Sequence, residues 1–247
     1  MNDHLPQEEL APEVVAGDPL LQRFADLITK PGRLMENVGR KTHLWLPYLL
    51  VFVVMSGFMW LVAPIMNPEQ IEMSRDSKLM QMVPEEVRQE QYEQALNPSP
   101  GRRALQASQA GLFVVIQMML LALLLGFFVK LSGGTGKMVQ SMGVVAWAGL
   151  IPMVLGPLLT LPIILQTESF FGTSIGLAAL LPDGDPSSLL YKVLYMFGDF
   201  FTWWGVFLLV IGYQKVFGLS RSASATTVVL IWFVAVLFAS APMLFLM

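Results

Sequence analysis

Few residues in this chain have the types and spacing that chemistry requires, and each candidate can be tested against the partners it would need. Asp199 is the only carboxylate inside a long apolar run. An aspartyl hydrolase working within a membrane needs two carboxylates sharing a proton, so Asp199 alone cannot serve. A serine nucleophile needs a base within reach, yet the two histidines, His4 and His43, both lie outside the apolar runs. Glu85-Glu86 would suit a metal-dependent hydrolase only with histidines to hold the ion, and none follows within the apolar runs. Ser132-Gly-Gly-Thr-Gly-Lys137 has glycines and a lysine but not the G-x-x-x-x-G-K-[ST] spacing of a phosphate loop. It reads as a tight turn. With no cysteine anywhere, thiolate metal sites, disulfides and cysteine nucleophiles are excluded. The sequence predicts no catalytic residue, no cofactor and no metal site. Asp199 remains as an interfacial, hydrogen-bonded aspartate, a proton or ion ligand, or a partner-binding residue, because an ionisable group at membrane depth is costly.

The elements that would position Asp199 are apolar. Five runs, about 44–66, 110–131, 139–165, 192–213 and 226–247, are each near or above the roughly 20 residues a helix needs to cross hydrocarbon. Leu112–Val129 is broken only by Gln117 and Gly126, whereas a soluble helix of that length carries a polar stripe. Mean hydropathy is +0.60, with 55% hydrophobic and 13% charged residues. The predicted class is an all-α polytopic membrane bundle of five spans. A net charge of -3 leaves no basic excess for nucleic acid.

Residues 1–19 contain five acids, no Lys or Arg, and three prolines, and read as a disordered acidic tail. Residues 20–38 carry Leu20, Phe24, Leu27, Ile28, Met35 and Val38 at helical spacing, with Arg23, Lys30 and Arg33 at polar positions. This predicts an amphipathic helix, kinked or restarted at Pro31, lying in the headgroup layer or packed on the bundle. The extramembrane loop 67–109 should hold one helix, started by Pro84-Glu85-Glu86 and ended near Asn97-Pro98. Its Val87, Tyr92 and Leu96 are available to face something apolar. Basic residues gather in the N-terminal segment and in the second and fourth loops, which predicts a cytoplasmic N-terminus and an outside C-terminus.

Gly198, Gly205 and Gly212 recur every seven residues and share one helix face. Such a stripe lets a second backbone approach closely, within this chain or in a second protomer. Ala235 and Ala239 form a weaker pair of the same kind. Pro152, Pro157 and Pro162 should bend or break the third span.

Taken in order, several stretches resemble the Yip1 family of five-span membrane proteins. They are Phe24-Ala-Asp-Leu-Ile-Thr-Lys-Pro31, Gly133-Gly134, Ala146-Trp147 through Ile151-Pro152, Asp199-Phe200-Phe201-Thr202-Trp203, Gly212, and Gly218-Leu219-Ser220 with Ala223. The resemblance covers about Phe24 to Phe238, and makes 20–247 a Yip1-like membrane domain. It implies a compact bundle with a cytoplasmic N-terminus. Eukaryotic relatives act in vesicle traffic, bind prenylated Rab-type GTPases and self-associate; some bacterial relatives are thought to accompany exporters or envelope stress systems. The long acidic first loop departs from compact eukaryotic members and points to a bacterial inner-membrane member.

The function expected is therefore that of a non-enzymatic membrane scaffold or accessory protein. Its partners would be the lipid bilayer and other membrane proteins or copies of itself, met through the Gly198/Gly205/Gly212 face and residues 20–41. The alternative is a small-solute or proton-linked carrier in which Asp199 titrates and the third span moves.

Overall fold

The computed structural model describes residues 20–74, 83–96, 98–173, 175–181 and 188–245, with all their side chains except those of 73, 74, 91, 189, 192, 196 and 238–245. The predicted acidic tail, 1–19, lies outside the described residues. Ten α-helices follow in order among the described residues: α1 (Leu20–Thr29), α2 (Pro31–Arg40), α3 (Trp45–Ser74), α4 (Glu85–Leu96), α5 (Pro100–Leu131), α6 (Met138–Leu150), α7 (Gly156–Thr167), α8 (Leu189–Met196), α9 (Phe200–Phe217) and α10 (Arg221–Phe245). A π-turn, Ile151–Leu155, joins α6 to α7 without a break.

Among the described residues four helices are long and apolar enough to cross a membrane: Trp45–Glu72, Pro100–Leu131, the continuous Met138–Thr167, and Phe200–Phe217. The last has 18 residues, about 27 Å at 1.5 Å per residue. The fifth expected span falls on α10, whose apolar stretch with described side chains, Arg221–Leu237, is shorter. The outward surface is apolar. Phe113 is 60% exposed, and Leu120, Leu124, Phe127 and Leu230 are exposed with it. In water, so continuous an apolar surface would drive aggregation. Against hydrocarbon it costs nothing.

Several ends of these helices have a local cause. Ser99 accepts the amide of Arg102, and Pro100 takes the first helical position of α5, where a missing N–H is harmless. Gly218, at φ +69°, ends α9 in the left-handed conformation that glycine adopts freely. Between α5 and α6, Gly133 turns at φ +92°, and the Thr135 amide donates to the carbonyl of Phe217 at 3.0 Å. The Ser132–Lys137 segment is thus a turn docked on the end of α9.

Several boundaries depart from expectation. At Pro31 the restart holds and not the kink: residues 20–38 fall in two helices, with Pro31 at the first position of α2. The loop 67–109 is shorter than predicted, since α3 runs on through Pro64 and Pro68 to Ser74 and α5 already begins at Pro100. Leaving hydrocarbon ends an apolar run but not a helix. Helix α4 covers Glu85–Leu96 as expected, yet Val87 and Leu96 are exposed and Ala95 is buried instead. The fourth run is not one helix. It divides into α8 and α9 at Phe197-Gly198-Asp199, where Gly198 sits at φ +76°. The third span does not break: Pro152 lies in the π-turn, and the wider turn accommodates the ring and its absent donor.

The core lies where α2, α5, α6 and α9 meet. Trp147, Tyr213, Phe217, Leu34, Met35, Leu125, Leu150 and Leu208 are all fully buried. Three spans are tied there by hydroxyls. Ser141 Oγ lies 2.5 Å from the carbonyl of Ala122 and 2.6 Å from Tyr213 Oη. The serine proton goes to the carbonyl, so the tyrosine donates to the serine. Tyr48 adds a bond to the carbonyl of Met142 at 3.2 Å.

Candidate functional site

The two N-terminal helices are the best candidate for a working surface, because they are short, charged and fixed in place. Neither α1 nor α2, at 10 residues each, would be stable alone in water. Helix α2 owes its form to docking: Leu34, Met35 and Val38, on one face, are fully buried against the bundle. Its outer end is held by Gln140, whose Oε1 accepts the amide of Lys137 at 2.6 Å while Nε2 donates to the carbonyl of Gly39 at 2.6 Å. Lys215 donates to Glu36 at 2.8 Å across 179 residues of sequence.

Helix α1 folds back on α2 through a buried carboxylate. Asp26 is fully buried and accepts from Arg33 Nε at 2.7 Å, Arg33 Nη2 at 2.5 Å and Gln22 Nε2 at 3.2 Å. The Arg33 hydrogen bonds hold its carboxyl below the usual carboxylate range, outweighing the opposing effect of burial. Lys215 lowers that of Glu36 in the same way.

The polarity of α1 is inverted. Arg23, Asp26 and Leu27 face inward, while Leu20, Leu21 and Ile28 are exposed, Leu21 to 83%. The guanidinium of Arg23 lies 5.9 Å from the Trp147 ring centroid, and the Phe24 ring is 5.6 Å from the same indole. Of the residues expected to face headgroups, Arg23 is therefore buried, Arg33 is committed to Asp26, and Lys30 is exposed between the helices. The spacing of Arg23 had placed it with the polar positions; Trp147, 124 positions later, turns it inward.

Asp199 and the glycines fall elsewhere. Asp199 lies outside the helical spans as the N-cap of α9, accepting the amide of Thr202 at 2.9 Å, and it bridges to Gly176. Its position in an apolar run is explained by the helix it starts. Gly198 stands before that helix, so the seven-residue stripe reduces to Gly205 and Gly212. Both are buried within this chain. A Cβ on Gly205 would lie 3.1 Å from Pro152 Cγ and Cδ, and one on Gly212 would lie 2.4 Å from Val144 Cγ1 and 3.2 Å from Met35 Sδ. The glycine face is filled by α2, α6 and the π-turn, which leaves no room there for another protein. Trp203 packs on Trp232 at 4.7 Å, Pro157 sits in the first turn of α7, and Ala235 is half-buried while the side chain of Ala239 lies outside the described residues.

At the far end of the spans, Glu69 accepts the amides of Phe170 and Phe171 at 2.8 and 3.1 Å, and Tyr191 donates to the carbonyl of Phe171 at 2.5 Å. That carboxylate clamps a loop. Among the described residues no group of three or more His, Asp or Glu side chains could hold a metal ion.

Sequence reasoning missed Asp26, Glu36, Trp147 and Lys215 as partners. Asp26 and Trp147 lie in stretches that carry the family resemblance, and that was their one visible signal. No curated protein and no solved structure matches this chain. Residues 25–241, from the middle of α1 to within α10, match the model of the Yip1 domain, and the chain belongs to the Yip1 domain family.

Proposed function

We propose that this membrane protein is a non-enzymatic scaffold or accessory protein that presents its docked α1–α2 pair to cytoplasmic partners. In this reading α10 is a fifth span, the N-terminus lies in the cytoplasm, the C-terminus lies outside, and the membrane is the bacterial inner membrane. The excess of basic residues around α1, α2 and the 132–137 turn supports that orientation. The observation that carries the proposal is the fixing of two short helices by long-range contacts from Gln140, Trp147 and Lys215. A tether needs no such seat; a recognition surface does, because preorganisation removes the ordering cost of binding. Arg40 and Lys41 are exposed beside it, as are Leu20, Leu21 and Ile28.

The test is photo-crosslinking in intact membranes from positions Leu21 and Arg40, with Phe113 on the lipid-facing side of α5 as control. A discrete crosslinked species at Leu21 or Arg40, absent at Phe113, is the expected result. Only lipid adducts from all three positions would refute a protein partner at this surface. The alternative, a carrier built on Asp199, would have to use a carboxylate that accepts the amide of Thr202 at the start of α9.

A further inference from the structure

Where α3 and α5 run on past their apolar stretches, at the end of α3 remote from α2, they and α4 line a cleft of about 230 Å³. At roughly 30 Å³ per water it has room for about eight waters or one small ligand. Its walls carry a narrow chemistry. Asn67, Gln70, Gln94 and Gln106 supply carboxamides and Arg102 a guanidinium, with Ile71 and Ala95 as the apolar part. Among the described residues that line it there is no acid, histidine or hydroxyl, which suits holding a ligand and not transforming one.

The walls are held in place by contacts of their own. Gln94 donates to Glu90 at 2.9 Å and accepts from Arg102. The guanidinium charge is thereby balanced, through one carboxamide, by a carboxylate, and the cleft is close to neutral. Ser99 accepts the Arg102 amide at 3.4 Å. The next residue, Arg103, donates to the carbonyl of Trp60 at 2.5 Å and lies 4.9 Å from that ring's centroid, which fixes α5 against α3. Gln106 Oε1 is buried, and no described residue donates to it.

A carboxamide presents acceptor and donors side by side, and a hydroxyl is both at once. An anion accepts only, and would meet carboxamide oxygens that repel it. Adjacent hydroxyls on a ring use both halves of each carboxamide. We infer that this cleft binds one neutral sugar ring, its hydroxyls on the carboxamides and a C–H face on Ile71 and Ala95. The ring is either a free monosaccharide or the headgroup of a glycolipid, since the cleft lies just beyond the membrane-spanning stretches of α3 and α5. This site does not depend on whether the α1–α2 pair recruits a protein.

The test uses the full chain in lauryldimethylamine oxide, a detergent without hydroxyl groups to compete. Saturation-transfer NMR is recorded during titration with methyl glucoside, methyl galactoside, methyl mannoside and N-acetylglucosamine in turn. In parallel, the thermal unfolding midpoint is followed with monoglucosyl and monogalactosyl diacylglycerol against plain diacylglycerol. Saturable transfer to a free sugar assigns a monosaccharide site; a saturable rise with a glycolipid alone assigns a headgroup site. Half-saturation should move up about tenfold in Gln70→Leu and in Gln106→Leu, the loss of one ordinary hydrogen bond in each. No response to any of these probes would overturn the site, as would an unchanged half-saturation in both variants. Glucuronate binding more tightly than methyl glucoside would overturn its neutral character. Should Gln106→Leu fail to fold, Gln70→Leu decides alone, because Gln70 is exposed and its replacement spares the packing; an unchanged half-saturation there overturns the site.

Discussion

Asp26 has no exposed surface, and its charge is balanced within α1 and α2 alone. Because Arg33 lowers its pKa, the bond stabilises the fold fully above the ordinary carboxylate range. That stability is lost as pH falls through the lower folded value. Seating of α1 should therefore be constant through neutral pH and fail only below about pH 4. Amide exchange of α1 against pH checks this, and Asp26→Asn should exchange fast at every pH. The buried glycines can be ranked. Gly212→Ala forces a methyl to 2.4 Å from Val144, whereas Gly205→Ala meets Pro152 at 3.1 Å. The first should cost about 1–3 kcal/mol and the second less, as read by unfolding in detergent. Asp199→Asn should preserve the α9 cap, since asparagine caps as well as aspartate, and should leave stability almost unchanged. A large loss there would mean that the charge itself does work that the cap geometry does not reveal.

Helix α2 is stable only where it docks, so its integrity reports on three other elements. Leu34→Ala removes a fully buried side chain at that seam and should weaken docking by about 2–4 kcal/mol. Exchange in α2 should rise while α5 and α6 remain protected; equal loosening everywhere would show that α2 is part of the global core. Lys215→Gln, at a half-exposed ion pair, should change stability by less than about 1 kcal/mol. The long helices were legible because hydropathy reports hydrocarbon thickness, which set α3, α5 and α6–α7 to within several residues in their apolar parts. Their polar extensions, through Ser74 and from Pro100, were not, since hydropathy is silent outside the bilayer. The break before α9 was hidden for the opposite reason. Hydropathy stays high across Phe197-Gly198-Asp199, so the run reads as one span with an interfacial Asp199 inside it, although an aspartate before an apolar helix is also a cap signal. The inward turn of Arg23 depends on a tryptophan far away in sequence, which local periodicity cannot register.

For the whole molecule, the absence of cysteine allows single-cysteine labelling without background. With the N-terminus cytoplasmic, Glu86→Cys in α4 should react with an impermeant maleimide in intact spheroplasts' outward-facing surface after the outer membrane is removed. Arg40→Cys should react only after the membrane is opened; the reverse pattern would invert the proposed topology. The long-range seat of the first two helices also bears on biogenesis. A ribosome makes α1 and α2 before the residues that seat them, since Gln140, Trp147 and Lys215 emerge about a hundred or more residues later. Until then Leu34, Met35 and Val38 have nothing to cover them, so every nascent or truncated chain displays an apolar stripe that the finished protein conceals. The pair is seated only after Lys215 has been made, and until then its apolar stripe is the kind of exposed surface that makes incomplete chains prone to aggregate.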